Sequence, residues 1–165
     1  MTVPDPTLPL PRILCLHGGG VNADIFAAQA RALIARLAPY FRLVFVDGPF
    51  LCAAHEDIVA EGVAVPPGVA DASMRSTQFE GLPEGITGDA HVLKLPTVHV
   101  HGLRDPGLEM HRVMMKSYCE EGTTRLVEWN GGHRVPIKQA DVDAVVGEIL
   151  SLGRELGLVD GGELA

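Results

Sequence analysis

Two side chains in the second half of the chain have the types and the spacing of an acid and a base that act together. Asp105 ends the run His101-Gly102-Leu103-Arg104-Asp105, and His133 ends the run Gly131-Gly132-His133. Each run lies at the end of a segment predicted as a buried strand, so both side chains are expected in loops at strand ends, where open α/β sheets build their sites. In such a pair the carboxylate orients the imidazole, and the imidazole accepts and returns a proton. We therefore predict Asp105 and His133 as catalytic residues.

A glycine-rich loop near the start of the chain is a second segment suited to chemistry. The run His17-Gly18-Gly19-Gly20 follows an apolar segment and precedes a helical pattern, so its backbone N–H groups converge on one point. One interpretation is an oxyanion loop that includes Gly18 and Gly19. Another is a dinucleotide fingerprint, Gly18-x-Gly20-x-x-Ala23, with Asp47 as the ribose-binding acid. A turn needed only for tight packing is the third, and this segment alone does not separate them.

The order of the acid and the histidine favours hydrolysis, but the sequence contains no obvious nucleophile. Hydrolases with an acid before the histidine carry their serine in a Gly-x-Ser-x-Gly turn, and this chain has no such motif. Cys52 has no flanking glycine, and the run Gly81-Leu82-Pro83-Glu84-Gly85 has proline where the nucleophile would stand. We leave the nucleophile unknown. The serines, each without the small neighbours or the loop position that the turn needs, are Ser73, Ser76, Ser117 and Ser151.

The predicted elements that position these residues alternate between strand and helix. Asn22 is a good N-cap for a helix that Pro39 ends. The pattern predicts an α/β fold with a mostly parallel sheet and helices on both faces. The predicted strands are 13–16, 43–46, 97–101 and 124–129, and the predicted helices are one after Asn22, one over 108–119 and a closing one whose apolar face is Val142, Val145, Val146, Ile149 and Leu150.

We predict a single domain, 1–165, in three parts. Residues 12–50 form a βαβ unit, 51–95 form a weakly patterned insert, and 96–157 carry the acid and histidine loops and the C-terminal helix. The insert is rich in proline and glycine and shows no strong strand or helical period, which is unusual for so long a stretch inside a compact domain. It falls where this fold places its central strand and nucleophile helix. That strand and helix are therefore predicted to be reduced or missing.

Composition limits the partners and cofactors. The chain has 165 residues, 47% of them hydrophobic, and a net charge of −8, which argues against nucleic acid and anionic membranes as partners. The proline-rich start is not a signal peptide, so an intracellular, cytoplasmic protein is expected. His91, His99 and His101 lack a completing ligand and are expected to serve packing, as is the methionine-rich face of the helix around Met110 and Met114. We predict neither a metal nor a cofactor.

At both ends the chain resembles the fungal serine hydrolase family of α/β-hydrolases, especially the esterases and thioesterases of polyketide and toxin gene clusters. The run 16–22 is similar to the family's Leu-His-Gly-x-x-x-Asn, and 45–50 to its Asp-Gly/Ala-Pro strand end. The runs 96–106 and 131–136 resemble its acid and histidine loops. The family's Gly-Phe-Ser-Gln-Gly turn has no counterpart in this chain.

The resemblance implies a fold, an activity and site residues. Asp105 and His133 take the acid and base positions, and the backbone of Gly19 takes the oxyanion position. The implied function is an esterase or thioesterase of secondary metabolism that acts on a small-molecule acyl ester or a carrier-bound thioester, with a polyketide synthase as a partner, and that is impaired by the missing serine. The alternatives are a non-catalytic relic that binds an acyl ligand or a partner protein, and a dinucleotide-binding module.

Overall fold

A computed structural model describes residues 5–18, 21–48 and 91–160. Contacts divide the chain into two compact units, Met1–Glu80 and Gly81–Ala165. Each unit contains a pair of parallel strands with helices packed beside it. The α/β class with parallel strands is thus confirmed. The predicted loss of a central strand and nucleophile helix concerns residues that lie largely outside the described ranges.

The first unit contains strand β1 (Arg12–Leu16), helices α1 (Ala23–Gln29) and α2 (Arg31–Leu37), and strand β2 (Arg42–Val46). The two strands pair in parallel with Leu16 opposite Val46. The rings of Phe26 and Phe45 pack edge to face, with centroids 5.5 Å apart, and so fasten α1 to β2. The buried apolar residues are Ala30, Leu37 and Phe41.

Helix α1 begins where the sequence predicts, but the predicted single helix is two. The side-chain oxygen of Asn22 accepts a hydrogen bond from the N–H of Ile25 at 2.8 Å, which confirms Asn22 as the N-cap. The break falls at Ala30, whose φ of −86° and ψ of 4° depart from helical values. The Ile34 N–H still bonds to the Ala30 carbonyl at 2.9 Å, so the departure is confined to one residue.

The second unit contains strand β3 (Thr97–Gly102), helix α3 (Leu108–Tyr118), strand β4 (Thr124–Trp129) and helix α4 (Gln139–Glu155). Strands β3 and β4 pair in parallel with Gly102 opposite Trp129. Helix α4 packs on both strands and fills the core of the unit, as its apolar spacing predicts. Its buried residues are Val142, Val145, Val146, Leu150 and Gly153.

Helix α3 is less buried than its methionines suggest. Met110 is 76% exposed and Met114 is 49% exposed, so the expectation that they fill a core is wrong. Helix α3 contacts β3, but none of its residues is buried, so these two side chains stay accessible to solvent. Among the described residues no helix has the length and apolar character needed to cross a membrane.

Candidate active site

The loops that follow β3 and β4 are neighbours because the two strands end side by side. The N–H of Leu103 donates to the carbonyl of Trp129 at 2.9 Å, and the N–H of Arg104 donates to the carbonyl of Gly131 at 2.8 Å. The Arg104 guanidinium also donates to the Asn130 carbonyl at 3.0 Å. These bonds continue the strand pairing past the end of the sheet. They hold the loop of the predicted acid against the loop of the predicted base.

Two glycines allow this close approach. A Cβ on Gly102 would lie 2.7 Å from the carbonyl oxygen of Gly131 and would also clash with the carbonyl oxygen of Gly132. A Cβ on Gly131 would fall on the indole ring of Trp129. Glycine is therefore required at both positions by space, and the two loops pack as tightly as they do because of it.

Asp105 and His133 make direct contact. Oδ2 of Asp105 lies 2.8 Å from Nδ1 of His133, and Oδ1 of the same carboxylate accepts the Gly107 N–H at 2.7 Å. The Asp105 side chain is only 6% exposed, whereas that of His133 is 80% exposed. The carboxylate is thus held below the surface by a backbone hydrogen bond, and the imidazole that it contacts faces solvent.

The ionisation of Asp105 fixes the direction of this hydrogen bond. Burial by itself raises the pKa of Asp105, but the hydrogen bonds from Gly107 and His133 outweigh burial and hold the pKa below its ordinary value. An ionised carboxylate only accepts hydrogen bonds, so Nδ1 of His133 is the donor. In neutral imidazole the other nitrogen, Nε2, is then free of a proton and able to accept one.

His111 is a third member of this cluster that the sequence reasoning missed. Its Nδ1 lies 3.8 Å from Oδ2 of Asp105, and its ring centroid lies 6.1 Å from that of His133. It stands in the first turn of α3, and its N–H donates to the carbonyl of Gly107, the residue that binds the carboxylate. In the sequence His111 follows Gly107 by one helical turn. This spacing is the signal from which its position beside the acid loop could have been predicted. Within the described residues, the metal-ligating side chains that converge are Asp105, His111 and His133.

The alternating histidines on β3 contact other side chains and do not converge as zinc ligands. The ring of His101 is 3% exposed and packs between the rings of His99 and His111, each with its centroid 5.8 Å away. Nε2 of His99 lies 3.1 Å from Oγ1 of Thr97 and 3.5 Å from Sγ of Cys119. Burial lowers the pKa of both His99 and His101, so both are neutral near pH 7.

In the first unit, the loop after β1 carries Gly18, whereas Gly19 lies outside the described residues. Nε2 of His17 accepts the Gly48 N–H at 3.0 Å, so its Nδ1 carries the proton and donates to the Gly18 carbonyl at 2.8 Å. The imidazole therefore ties the end of β1 to the end of β2. The role of Gly18 and Gly19 as an oxyanion loop stays a prediction.

Asp47 occupies the place that a dinucleotide phosphate would need. Its Oδ1 accepts the N–H of Ala23, the first residue of α1, at 2.8 Å. The start of a helix after a glycine loop is where the pyrophosphate binds in the dinucleotide fingerprint. A carboxylate there repels a phosphate and satisfies the N–H that would bind it. This geometry disfavours the dinucleotide interpretation of the loop.

Comparison with known proteins assigns the family. The serine hydrolase (FSH1) family matches residues 7–76 and 69–145. Esterase pigG of Monascus ruber is 32% identical in an alignment that covers 94% of this chain and 96% of that protein. Probable esterase tazC of Aspergillus terreus is 33% identical over 96% of this chain and 98% of its own length, and probable esterase azaC of Aspergillus niger is 33% identical over 93% and 89%.

The alignments also show where this chain departs from those relatives. The alignment with esterase pigG extends over 261 positions, whereas this chain has 165 residues, so the relative carries a long stretch without a counterpart here. The family match is divided at residues 69–76, inside the weakly patterned insert. On the length of the family match and the coverage of both chains, this protein belongs to the serine hydrolase (FSH1) family.

Proposed function

We propose that this chain is an esterase-like hydrolase of secondary metabolism in which Asp105 is the acid, His133 is the base, and turnover is impaired because the serine turn is missing. The observation that carries this proposal is the 2.8 Å contact between Oδ2 of Asp105 and Nδ1 of His133. The names of the relatives, which are esterases, support the reaction class.

The pair has the geometry of a general base with its orienting acid. The carboxylate holds the Nδ1 proton, so Nε2 accepts the proton of an attacking hydroxyl or water, and the positive charge that then develops is stabilised by Asp105. The exposed face of His133 leaves room for a substrate or a nucleophile. The chain lacks a Gly-x-Ser-x-Gly turn to supply that nucleophile. Activated water is a slower route, so we expect hydrolysis close to background.

The substrate we propose is a small-molecule acyl ester or an acyl thioester on a carrier protein, with a polyketide synthase as its source. The basis is the resemblance to esterases and thioesterases of polyketide and toxin clusters, together with the esterase names of the relatives. We also propose that residues 1–165 form a single domain and that Gly18 and Gly19 belong to its oxyanion loop.

A fluorophosphonate probe and a panel of acyl esters and acyl thioesters test the proposal. We expect no labelling, and hydrolysis within a few-fold of the His133→Ala variant. Strong labelling at any residue would show a nucleophile and overturn the impaired mechanism. Equally, turnover well above background that His133→Ala leaves unchanged would remove the proposed base.

A gain-of-function chimera tests the acid and base directly. We would insert, at residues 69–76, the segment of esterase pigG that has no counterpart in this chain. If Asp105 and His133 are the remaining parts of a triad, the chimera is labelled by the probe, and His133→Ala in the chimera abolishes the labelling. Circular dichroism and a thermal unfolding transition establish that the chimera is folded.

The missing serine turn favours a second function, which is binding without turnover. A relic of this family would hold an acyl ligand or a partner protein without cleaving it. The test is equilibrium binding of a non-hydrolysable acyl thioester. Saturable binding that His133→Ala does not weaken, together with background hydrolysis, favours the relic over the impaired enzyme.

A further inference from the structure

We infer that Asp105, His111 and His133 form a site for a divalent transition metal, best suited to Zn²⁺, and that metal binding competes with the hydrogen bond between Asp105 and His133. The binding part of this inference does not depend on hydrolysis. The consequence for His133 as a base rests on the proposed function.

The three side chains are a ligand set that suits Zn²⁺. Two imidazoles and one carboxylate are ligands that Zn²⁺ takes in protein sites with an open position for water or substrate. One donor atom from each of the three side chains can be chosen so that all lie within 4.8 Å of one another. Both imidazoles face the same oxygen, because Oδ2 of Asp105 is 2.8 Å from Nδ1 of His133 and 3.8 Å from Nδ1 of His111.

The distances between donor atoms are close to those of a zinc site. With zinc bonds of about 2.0 to 2.1 Å in a tetrahedron, two ligand atoms are separated by about 3.3 Å. The observed 2.8 Å and 3.8 Å lie on either side of that value. A shift of each imidazole nitrogen by about 0.5 Å, outward for His133 and inward for His111, would bring both of these distances to the value for a zinc site. The 80% exposed ring of His133 has the freedom to make its shift.

A backbone hydrogen bond orients the Asp105 carboxylate toward the two histidines. Oδ1 of Asp105 is held by the Gly107 N–H, so Oδ2 is left to face the two histidines. Metal ligands in proteins are usually oriented by such additional hydrogen bonds. The carboxylate is held in this orientation by its backbone partner. It supplies the negative charge that a dication needs, without being free to rotate away.

Metal binding would change the proton on His133. The ion replaces hydrogen at Nδ1, and in a neutral ring the displaced proton moves to Nε2 through solvent, so no proton is gained or lost overall. Nε2 then carries a hydrogen and has no lone pair with which to accept another. A chain with the metal bound therefore has no base at His133. Zinc acts on this pair as an inhibitor, not as a cofactor.

Titration of the full chain with Zn²⁺ alone, by calorimetry after removal of trace metal, tests the site. We expect one ion per chain, and at least a tenfold weaker affinity in both His111→Ala and His111→Gln. His91→Ala is the matched control, because His91 packs on Tyr118 away from the cluster, and its affinity should equal that of the wild type. Co²⁺ should give visible absorption in the wild type and lose it in His111→Ala.

Two results would overturn the inference. One is the absence of zinc binding up to millimolar concentration, and the other is wild-type affinity in folded His111→Ala and His111→Gln. Nitrogen-15 spectra of the imidazoles add a reading that needs no substrate, since zinc should move the His133 proton from Nδ1 to Nε2. None of these measurements requires hydrolytic activity. Failure of the metal site can therefore be distinguished from failure of the proposed function.

Discussion

Oδ2 of Asp105 lies 2.8 Å from Nδ1 of His133, although 28 positions of sequence separate the two residues. The contact exists because β3 and β4 pair in parallel and end at Gly102 and Trp129, which are opposite each other. Each residue then follows its strand end by three or four positions. The parallel register therefore converts two separate loops into one site.

The tautomer of His133 is the first prediction. Asp105→Asn replaces an oxygen acceptor by an amide that can donate to Nδ1, so the His133 proton should move to Nε2. In the chimera that carries the serine turn of esterase pigG, Asp105→Asn should also slow labelling by the fluorophosphonate probe by about 10² to 10⁴-fold, the usual contribution of a positioned base. Nitrogen-15 imidazole spectra measure the tautomer. Asp141→Asn, in the first turn of α4, is the control and should change neither property.

If the Asp105→Asn spectrum matches that of the wild type, the carboxylate does not select the tautomer. The hydrogen bond would then be a consequence of loop packing, and Asp105 would lose its proposed role as the acid.

The buried imidazole of His101 predicts a loss of stability in mild acid. Burial lowers the pKa of His101, and the charges of His99 and His111 lower it further. The unfolded chain binds a proton below about pH 6.5, while the folded chain does so only at lower pH. The free energy of unfolding should therefore be largest above pH 6.5 and fall as the pH falls through the interval between the two pKa values.

Urea unfolding at pH 7 and pH 5 measures this effect. The decrease in stability should be smaller in His101→Phe, which keeps an aromatic ring in the core and removes the proton site. Val127→Ala is the control, because it removes buried methyl groups and should be destabilised by similar amounts at both pH values. An unchanged pH dependence in His101→Phe would contradict the prediction.

The glycine at position 131 should be irreplaceable. Gly131→Ala places a methyl group on the Trp129 indole, and we expect a loss of about 1 to 3 kcal/mol in the free energy of unfolding, together with loss of the Asp105 to His133 contact. Gly147→Ala is the matched control, since a Cβ there meets nothing within 4 Å and the residue lies in α4. The control should gain about 0.5 to 1 kcal/mol. Chemical denaturation measures whether each substitution lowers or raises the free energy of unfolding.

Helix α4 should account for much of the stability of the second unit. Leu150 has 0% exposure, and Leu150→Ala should cost about 2 to 5 kcal/mol through lost apolar burial and the cavity left behind. Leu156→Ala removes the same atoms just after the helix, where the side chain is 54% exposed, and should cost far less. Equal losses in thermal or urea unfolding would show that α4 is not packed as described.

Local patterns predicted most of the elements in the described ranges. The predicted bounds of the four strands agree with the structure to within one residue. The expectation that the apolar run of β1 is buried is wrong, because Leu14 and Leu16 are 61% and 66% exposed. The Asn22 cap was also predicted from residue type. The division at Ala30 and the exposure of Met110 were missed, since neither a single-residue backbone departure nor the rotation of a helix leaves a signal in residue type.

The sequence by itself predicted Asp105 as the acid and His133 as the base, fixed their order, and showed the absence of a Gly-x-Ser-x-Gly turn. Only the tertiary structure decided that Asp105 and His133 touch, that Gly107 holds the other carboxylate oxygen, and that His111 faces the same oxygen. The physical reason is that residue type specifies what a side chain can do, whereas strand register and tight glycine packing specify which side chains meet.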